Sequence, residues 1–163
     1  MASKEYRFQV VYHDLPDNVR EEVINLWVTE RILPQPEAER RVDELVLVIR
    51  NEEGDAIGVV TTYIRDFLKP GNYYYFLRMF IKPAERKSYS LLIDAYRRTF
   101  TVLDEYQQVE LNPHGLLLEM ENMKFSGKRI VKKLSENGLV YWGRNALGND
   151  VWYHRFDAGL PEK

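Results

Sequence analysis

The stretch LVLVIRNEEGDAIGVVTTYIRDF, at residues 45–67, gives the clearest structural pattern in this 163-residue chain. Two runs rich in β-branched residues flank the segment NEEGD, in which Gly54 stands at a position suited to the left-handed conformation. This pattern predicts a β-hairpin. Upstream of it, YRFQVVYH (6–13) alternates as a strand does, and residues 15–33 show helical spacing, with Asp17 as the predicted N-cap.

Downstream of the hairpin the chain continues to alternate between strands and helices. Pro34 and Pro36 predict an extended start for the polar connection 34–44, with a short helix as an option at its end. Tyr106 and Val131 are expected on the buried stripes of their helices. The further predicted elements are a turn at 69–72, a strand at 73–82, a helix from Ser88 or Ser90 to Gln107, a strand at 116–121, a helix at 126–137, and final strands in LVYWGR and DVWYHRF.

This order of elements predicts a single α/β domain over residues 1–163. Its centre is a mixed sheet of six to seven strands, flanked by helices on both faces, because hairpins and β-α-β crossovers occur in the same chain. Such a domain is long enough to bury a core of its own.

Composition excludes several classes of protein. The chain has no cysteine, so it has neither disulfides nor thiolate-bound zinc, and its three histidines are scattered without metal-ligand spacing. No apolar run approaches the roughly 20 residues that span a bilayer, and the first residues carry no secretory signal, so we expect a cytoplasmic protein without a membrane segment. The formal net charge of −2 gives no bulk reason to expect nucleic-acid binding.

Three short landmarks occur in a recognisable order. The pair Gly58-Val59 follows the hairpin turn, FIKPAER places Ile81, Pro83 and Arg86 at the end of a strand, and Gly138-Leu139 joins the last helix to a strand. In this order and spacing, residues 6–156 resemble the GNAT superfamily of acyl-CoA-dependent N-acyltransferases. The resemblance implies a GNAT-like mixed sheet and acetyl-CoA, or another acyl-CoA, as the acyl donor to an amine acceptor.

The resemblance also implies where the coenzyme binds. In the family, pantetheine lies in a split between the fourth and fifth strands and pairs with the backbone of the fourth, which here is Met79, Phe80 and Ile81. The pyrophosphate lies on N–H groups where the next helix begins, since unpaired donors and the helix dipole favour an anion there. The resemblance therefore assigns the coenzyme loop to Arg86, Lys87, Ser88, Tyr89, Ser90 and Leu91.

This loop lacks the glycines of the family. Counted from Arg86, the two small positions fall on Tyr89 and Leu91, whose side chains would obstruct a phosphate. A loop shorter by one residue places Ser88 and Ser90 there instead, and we prefer this register. The alternative is that one of these serines is only a helix cap.

The catalytic groups also depart from the family. Leu134 stands where many members have the tyrosine that protonates the leaving thiolate, while Tyr141 is the alternative phenol and Asn122 the alternative to the family's asparagine. Glu119 and Glu121 point to one face of their strand and are the candidate general bases. An exposed pair of strand-end carboxylates is the simpler interpretation.

Three functions remain open at this point. The first is N-acyl transfer to a small-molecule or protein amine. The second is a GNAT-fold protein without catalysis that acts as a binding or inhibitory module. The third is modification of nucleic acid, with the basic patch of Lys128, Arg129, Lys132 and Lys133 as the docking surface, although such patches are more often solvated helix faces.

Overall fold

A computed structural model describes residues 4–86, 89–106, 110–120 and 127–162. Within these residues seven strands form one sheet in the order β1-β2-β3-β4-β5-β7-β6, with four α-helices. The pair β4–β5 is parallel, whereas β1–β2, β2–β3, β5–β7 and β6–β7 are antiparallel, so the sheet is mixed as predicted. The elements are β1 Arg7–Val10, α1 Asp17–Thr29, α2 Gln35–Arg41, β2 Leu45–Arg50, β3 Ala56–Phe67, β4 Lys69–Ile81, α3 Tyr89–Tyr106, β5 Gly115–Met120, α4 Lys128–Glu136, β6 Val140–Arg144 and β7 Asp150–Arg155.

One compact unit comprises Met1–Thr62 and Met79–Lys87. Its core is built from apolar residues of α1, α2 and strands β2, β3 and β4, among them Val23, Trp27 and Phe80. The predicted hairpin is confirmed: Gly54 has φ +89°, and the Asn51 carboxamide oxygen accepts a hydrogen bond from the Asp55 N–H at 2.8 Å. The turn chemistry and the apolar strands therefore agree, as the sequence pattern requires.

The second compact unit comprises Tyr63–Arg78 and Ser88–Lys163. In it β4 and β5 pair from Tyr75↔Leu116 to Leu77↔Leu118, and β5 continues to β7 and β6 through antiparallel ladders. Helix α3 packs on one face of these strands, where Phe100 contacts His154 and Phe156. The organisation of residues 1–163 as a single domain stays a prediction.

Two sequence expectations near the amino terminus are wrong. Asp17 is not the cap of α1, because Pro16 occupies that position and Asp17 is the first helical residue. The segment 34–44 is mostly helical, with α2 at Gln35–Arg41 followed by a 3-10 turn. Pro36 falls in the first helical turn, where the missing N–H costs no intrahelical bond, so it begins a helix instead of preventing one.

Three later expectations also need correction. The predicted turn at 69–72 lies inside the range of β4, although Gly71 still takes part in the connection from β3: Leu68 has φ +71°, and the Gly71 N–H donates to Asp66 at 3.0 Å. Val131 is 41% exposed and Tyr106 is 45% exposed, so neither lies in the core. Helix α4 buries only Ile130 and Leu134, since a short helix presents one narrow stripe to a sheet.

Candidate functional site

The end of β4 packs closely against β3. Phe80 and Ile81, which are predicted to hold pantetheine with Met79, are buried. A Cβ added to Gly58 would lie 2.8 Å from the Phe80 carbonyl oxygen, and the Lys82 N–H donates to the Ile57 carbonyl at 2.8 Å. Gly58 is therefore required for the close approach of two strand backbones. This close approach is the physical reason for a glycine in the Gly58-Val59 pair.

Arg86 folds back onto this strand end. Its Nε donates to the Ile81 carbonyl oxygen at 2.5 Å, and its guanidinium carbon lies 5.7 Å from the centre of the Phe80 ring. Lys82 Nζ lies 3.6 Å from a carboxylate oxygen of Glu30, at the end of α1. Arg86 and Lys82 are thus both already engaged within the protein.

A tyrosine near the amino terminus holds the turn after β4. The Tyr6 hydroxyl donates a short hydrogen bond to Glu85, and Lys4 Nζ lies 3.4 Å from the same carboxylate. Burial, followed by the contact with Glu85, raises the pKa of Tyr6 to about 12. The phenol therefore stays protonated and remains a donor at all physiological pH values. Sequence reasoning missed this contact because the two partners are 79 residues apart.

Helix α3 begins at Tyr89. Ser90 lies exposed in the first helical turn, whereas Leu91 is 5% exposed and packs inward. The first N–H groups of a helix have no intrahelical acceptor, so they are available to an anion. The exposed Ser90 and the buried Leu91 are compatible with serines at the small positions, and the register of this loop stays a prediction. Lys87 and Ser88 lie outside the described residues.

The two catalytic candidates that the structure describes lie on opposite faces of the sheet. Glu119 pairs with Val151, which pairs with Gly143, whereas the neighbouring row joins Leu118, Trp152 and Tyr141. Adjacent rows of a sheet point to opposite faces. Glu119 and Tyr141 therefore cannot act as base and acid on one substrate atom from their present positions.

Each of these two side chains already has local partners. Glu119 Oε1 accepts hydrogen bonds from the side-chain amides of Asn145 at 2.6 Å and Asn149 at 2.8 Å, which ties the turn between β6 and β7 to β5. The Tyr141 hydroxyl donates to Asp150 Oδ1 at 2.9 Å, and this bond raises the pKa of the phenol. Both contacts stabilise the sheet edge, and the catalytic assignments stay predictions. Glu121 and Asn122 lie outside the described residues.

Comparison with known proteins establishes the fold. No protein-family model and no curated protein sequence matches this chain. Solved structures match nearly all of it. A ribosomal-protein-S5-alanine acetyltransferase from Vibrio fischeri is 16% identical with a TM-score of 0.59, and the match covers 94% of this chain and 93% of the other. A GNAT-family acetyltransferase from Bacillus anthracis is 11% identical with a TM-score of 0.54, and the match covers 93% of this chain and 94% of the other. A chimeric spermidine N-acetyltransferase from Vibrio cholerae and hSSAT gives 13% identity and a TM-score of 0.57, covering 93% of this chain and 98% of the other.

The chain has the GNAT fold. Within this GNAT fold, Leu134 is 1% exposed and its carbonyl oxygen accepts the N–H groups of Asn137 and Leu139 where α4 ends. Its side chain belongs to the core and carries no proton, so position 134 supplies no acid. That position 134 corresponds to the family's tyrosine stays a prediction.

The basic patch of this chain lies on α4. Lys128, Arg129 and Lys132 are exposed and Lys133 is half-buried. Lys132 Nζ lies 3.8 Å from Glu136, so part of this charge is balanced along the helix. Nucleic-acid binding by the patch stays a prediction. Among the described residues there is no cluster of histidine and carboxylate groups that could hold a metal ion, and no helix is long and apolar enough to cross a membrane.

Proposed function

We propose that this chain is an N-acyltransferase that moves an acyl group from acyl-CoA to an amine. The observation that carries the proposal is the junction between β4 and α3. Strand β4 ends at Ile81, one 3-10 turn follows, and α3 opens at Tyr89 with Ser90 exposed in its first turn. The start of an α-helix after a buried strand is a general anion site, and in the GNAT family it is where a pyrophosphate is expected.

The protein contributes three functions to the proposed reaction. The backbone of Met79–Ile81 orients the thioester, the first-turn N–H groups of α3 and the Ser90 hydroxyl hold the pyrophosphate, and the helix dipole favours its charge. The amine nitrogen attacks the thioester carbonyl, a C–N bond forms, the C–S bond breaks, and the amine proton passes to a base or to water. Among the residues that the structure describes, Glu119 is the candidate for that base.

The buried Leu134 limits how the thiolate departs. A thiol has an ordinary pKa of about 8.5, so it leaves as a thiolate near neutral pH without full protonation. We therefore expect slow turnover rather than none. A protein that binds acyl-CoA without turnover is the second candidate, and the same apolar side chain favours it. Release of free thiol in the presence of amines separates the two.

Acetyl-CoA binding is the first test. A ligand at 100 times its dissociation constant adds about 2.7 kcal/mol of stability, which for a chain of this size corresponds to a rise of roughly 5–10 °C in Tm. Ser90→Asp should remove the rise, because a carboxylate in the first turn repels the pyrophosphate while suiting the helix dipole of the free protein. Ser135→Asp, at an exposed serine of α4, is the matched control and should keep it.

The possible results separate acyl-CoA binding itself from the proposed position of the phosphates at the start of α3. No change in Tm at millimolar acetyl-CoA contradicts acyl-CoA binding. An equal rise in wild type and Ser90→Asp leaves the function standing but moves the phosphates away from the start of α3.

A further inference from the structure

Two arginines and two aromatic rings form a cluster on β3 and β4. The Arg78 guanidinium carbon lies 4.6 Å from the centre of the Tyr63 ring, and that of Arg65 lies 6.0 Å from Tyr63 and 5.8 Å from Phe76. The Tyr63 and Phe76 rings are themselves 5.4 Å apart. We call these four residues the arginine–aromatic cluster.

The cluster stands on a packed base. Phe76 borders a small core formed by Tyr74, Leu117 and Val151, so its ring position is set by strands rather than by a loop. Sites built on strands hold their geometry more tightly than sites on loops. The cluster is therefore a rigid platform, with the Arg65 side chain exposed at its outer side.

The charge of this platform is not balanced at Arg65. Within the part of the chain that the structure describes, Arg65 forms no ion pair and no hydrogen bond, and its guanidinium lies near the two rings. The nearest acid in the sequence, Asp66, accepts the Gly71 N–H at 3.0 Å and serves the hairpin turn instead. A guanidinium lying against a ring keeps its in-plane N–H groups free for a carboxylate, which it binds through paired hydrogen bonds.

We propose that the arginine–aromatic cluster binds the carboxylate of a planar or aromatic ligand. This step rests on the proposed function for its biological meaning: the ligand is then the acceptor, an amine that also carries a carboxylate, such as an aromatic amino acid. In the sequence of β4, Arg78 immediately precedes Met79, the first residue that the resemblance assigns to pantetheine. The positive charge of Arg65 disfavours polyamines, because cations of like charge repel each other on one surface.

A pair of probes of equal shape tests the site without any coenzyme. Benzoate carries the ring and the charge, and benzamide carries the ring alone. Titration followed by NMR should show saturable benzoate binding that is at least about tenfold tighter than benzamide binding, and Arg65→Gln should weaken it by about tenfold or more. Arg98→Gln, at an exposed arginine of α3, is the control and should bind as wild type does. Spermidine should not compete.

Several results overturn the proposal. Benzoate that does not bind, that binds no better than benzamide, or that binds equally to wild type and Arg65→Gln removes the site. Competition by spermidine also removes it. Arg65 is exposed, so its variant is expected to fold, and an unchanged Tm verifies this.

The site and the proposed function fail independently. Benzoate binding lost in Arg65→Gln, without any thermal response to acetyl-CoA, keeps the site and rejects acyl transfer. Acetyl-CoA binding without benzoate binding keeps the proposed function and rejects the carboxylate site. When both bind, acetyl transfer to phenylalanine should exceed transfer to phenylalaninamide in kcat/KM, and Arg65→Gln should reduce that preference while leaving acetyl-CoA binding unchanged.

Discussion

Replacing Gly138 by alanine should be among the most destabilising small changes in this chain. Gly138 has φ +93°, and an added Cβ would lie 2.6 Å from Cε1 and 2.7 Å from Nε2 of the buried His154 ring. The ring cannot retreat, because Tyr96 contacts its Nδ1, its Nε2–H donates to the Gly159 carbonyl at 2.7 Å, and Phe100 stacks at 4.3 Å. The left-handed backbone costs alanine about 1–2 kcal/mol, and the collision adds about 1–3 kcal/mol.

Gly148→Ala isolates the collision from the backbone cost. Gly148 has φ +82°, and a Cβ there would meet nothing within 4 Å. Both substitutions restrict the unfolded chain equally, so that contribution cancels in the difference. Urea unfolding should place Gly138→Ala about 1–3 kcal/mol below Gly148→Ala, or about 2–12 °C lower in Tm. Equal stabilities within about 0.5 kcal/mol would refute the close packing of His154 against the end of α4.

Three further predictions concern buried and paired groups. Tyr96→Phe leaves the His154 Nδ1 acceptor without its partner inside the core, so urea unfolding should show a loss of about 1–3 kcal/mol. Burial lowers the pKa of His154, so the unfolded chain binds the proton more readily; the free energy of unfolding should fall as pH drops below about 6.5, and this fall should be reduced in His154→Asn. Arg50 pairs with Glu22 through both terminal guanidinium nitrogens, at 2.7 and 2.9 Å. Arg50→Met should therefore lower the free energy of unfolding more than Arg40→Met, which replaces an exposed arginine of α2. An equal loss of stability in the two variants would contradict a structural role for the Arg50–Glu22 pair.

Much of the fold follows from local sequence patterns. The hairpin at 45–67 is predictable because turn residues and strand-forming residues act over a few positions, and the left-handed Gly54 follows from the same turn. The left-handed Gly138 follows likewise from the end of α4. Local patterns fail where one segment is compatible with two different structures. Pro36, for example, suits both an extended connection and the first turn of a helix.

Sequence alone indicates the order and kind of most elements, because periodicity and turn chemistry are properties of neighbouring residues, and its landmarks carry the resemblance to the GNAT fold. Which side chains meet depends on the tertiary structure. It separates Glu119 from Tyr141 by the register of β5, β7 and β6, and it brings Tyr96 to His154 across 58 residues. It also gathers Arg65 and Arg78 around one ring. Strand register and packing set these contacts, and neither is encoded in the spacing of any single segment.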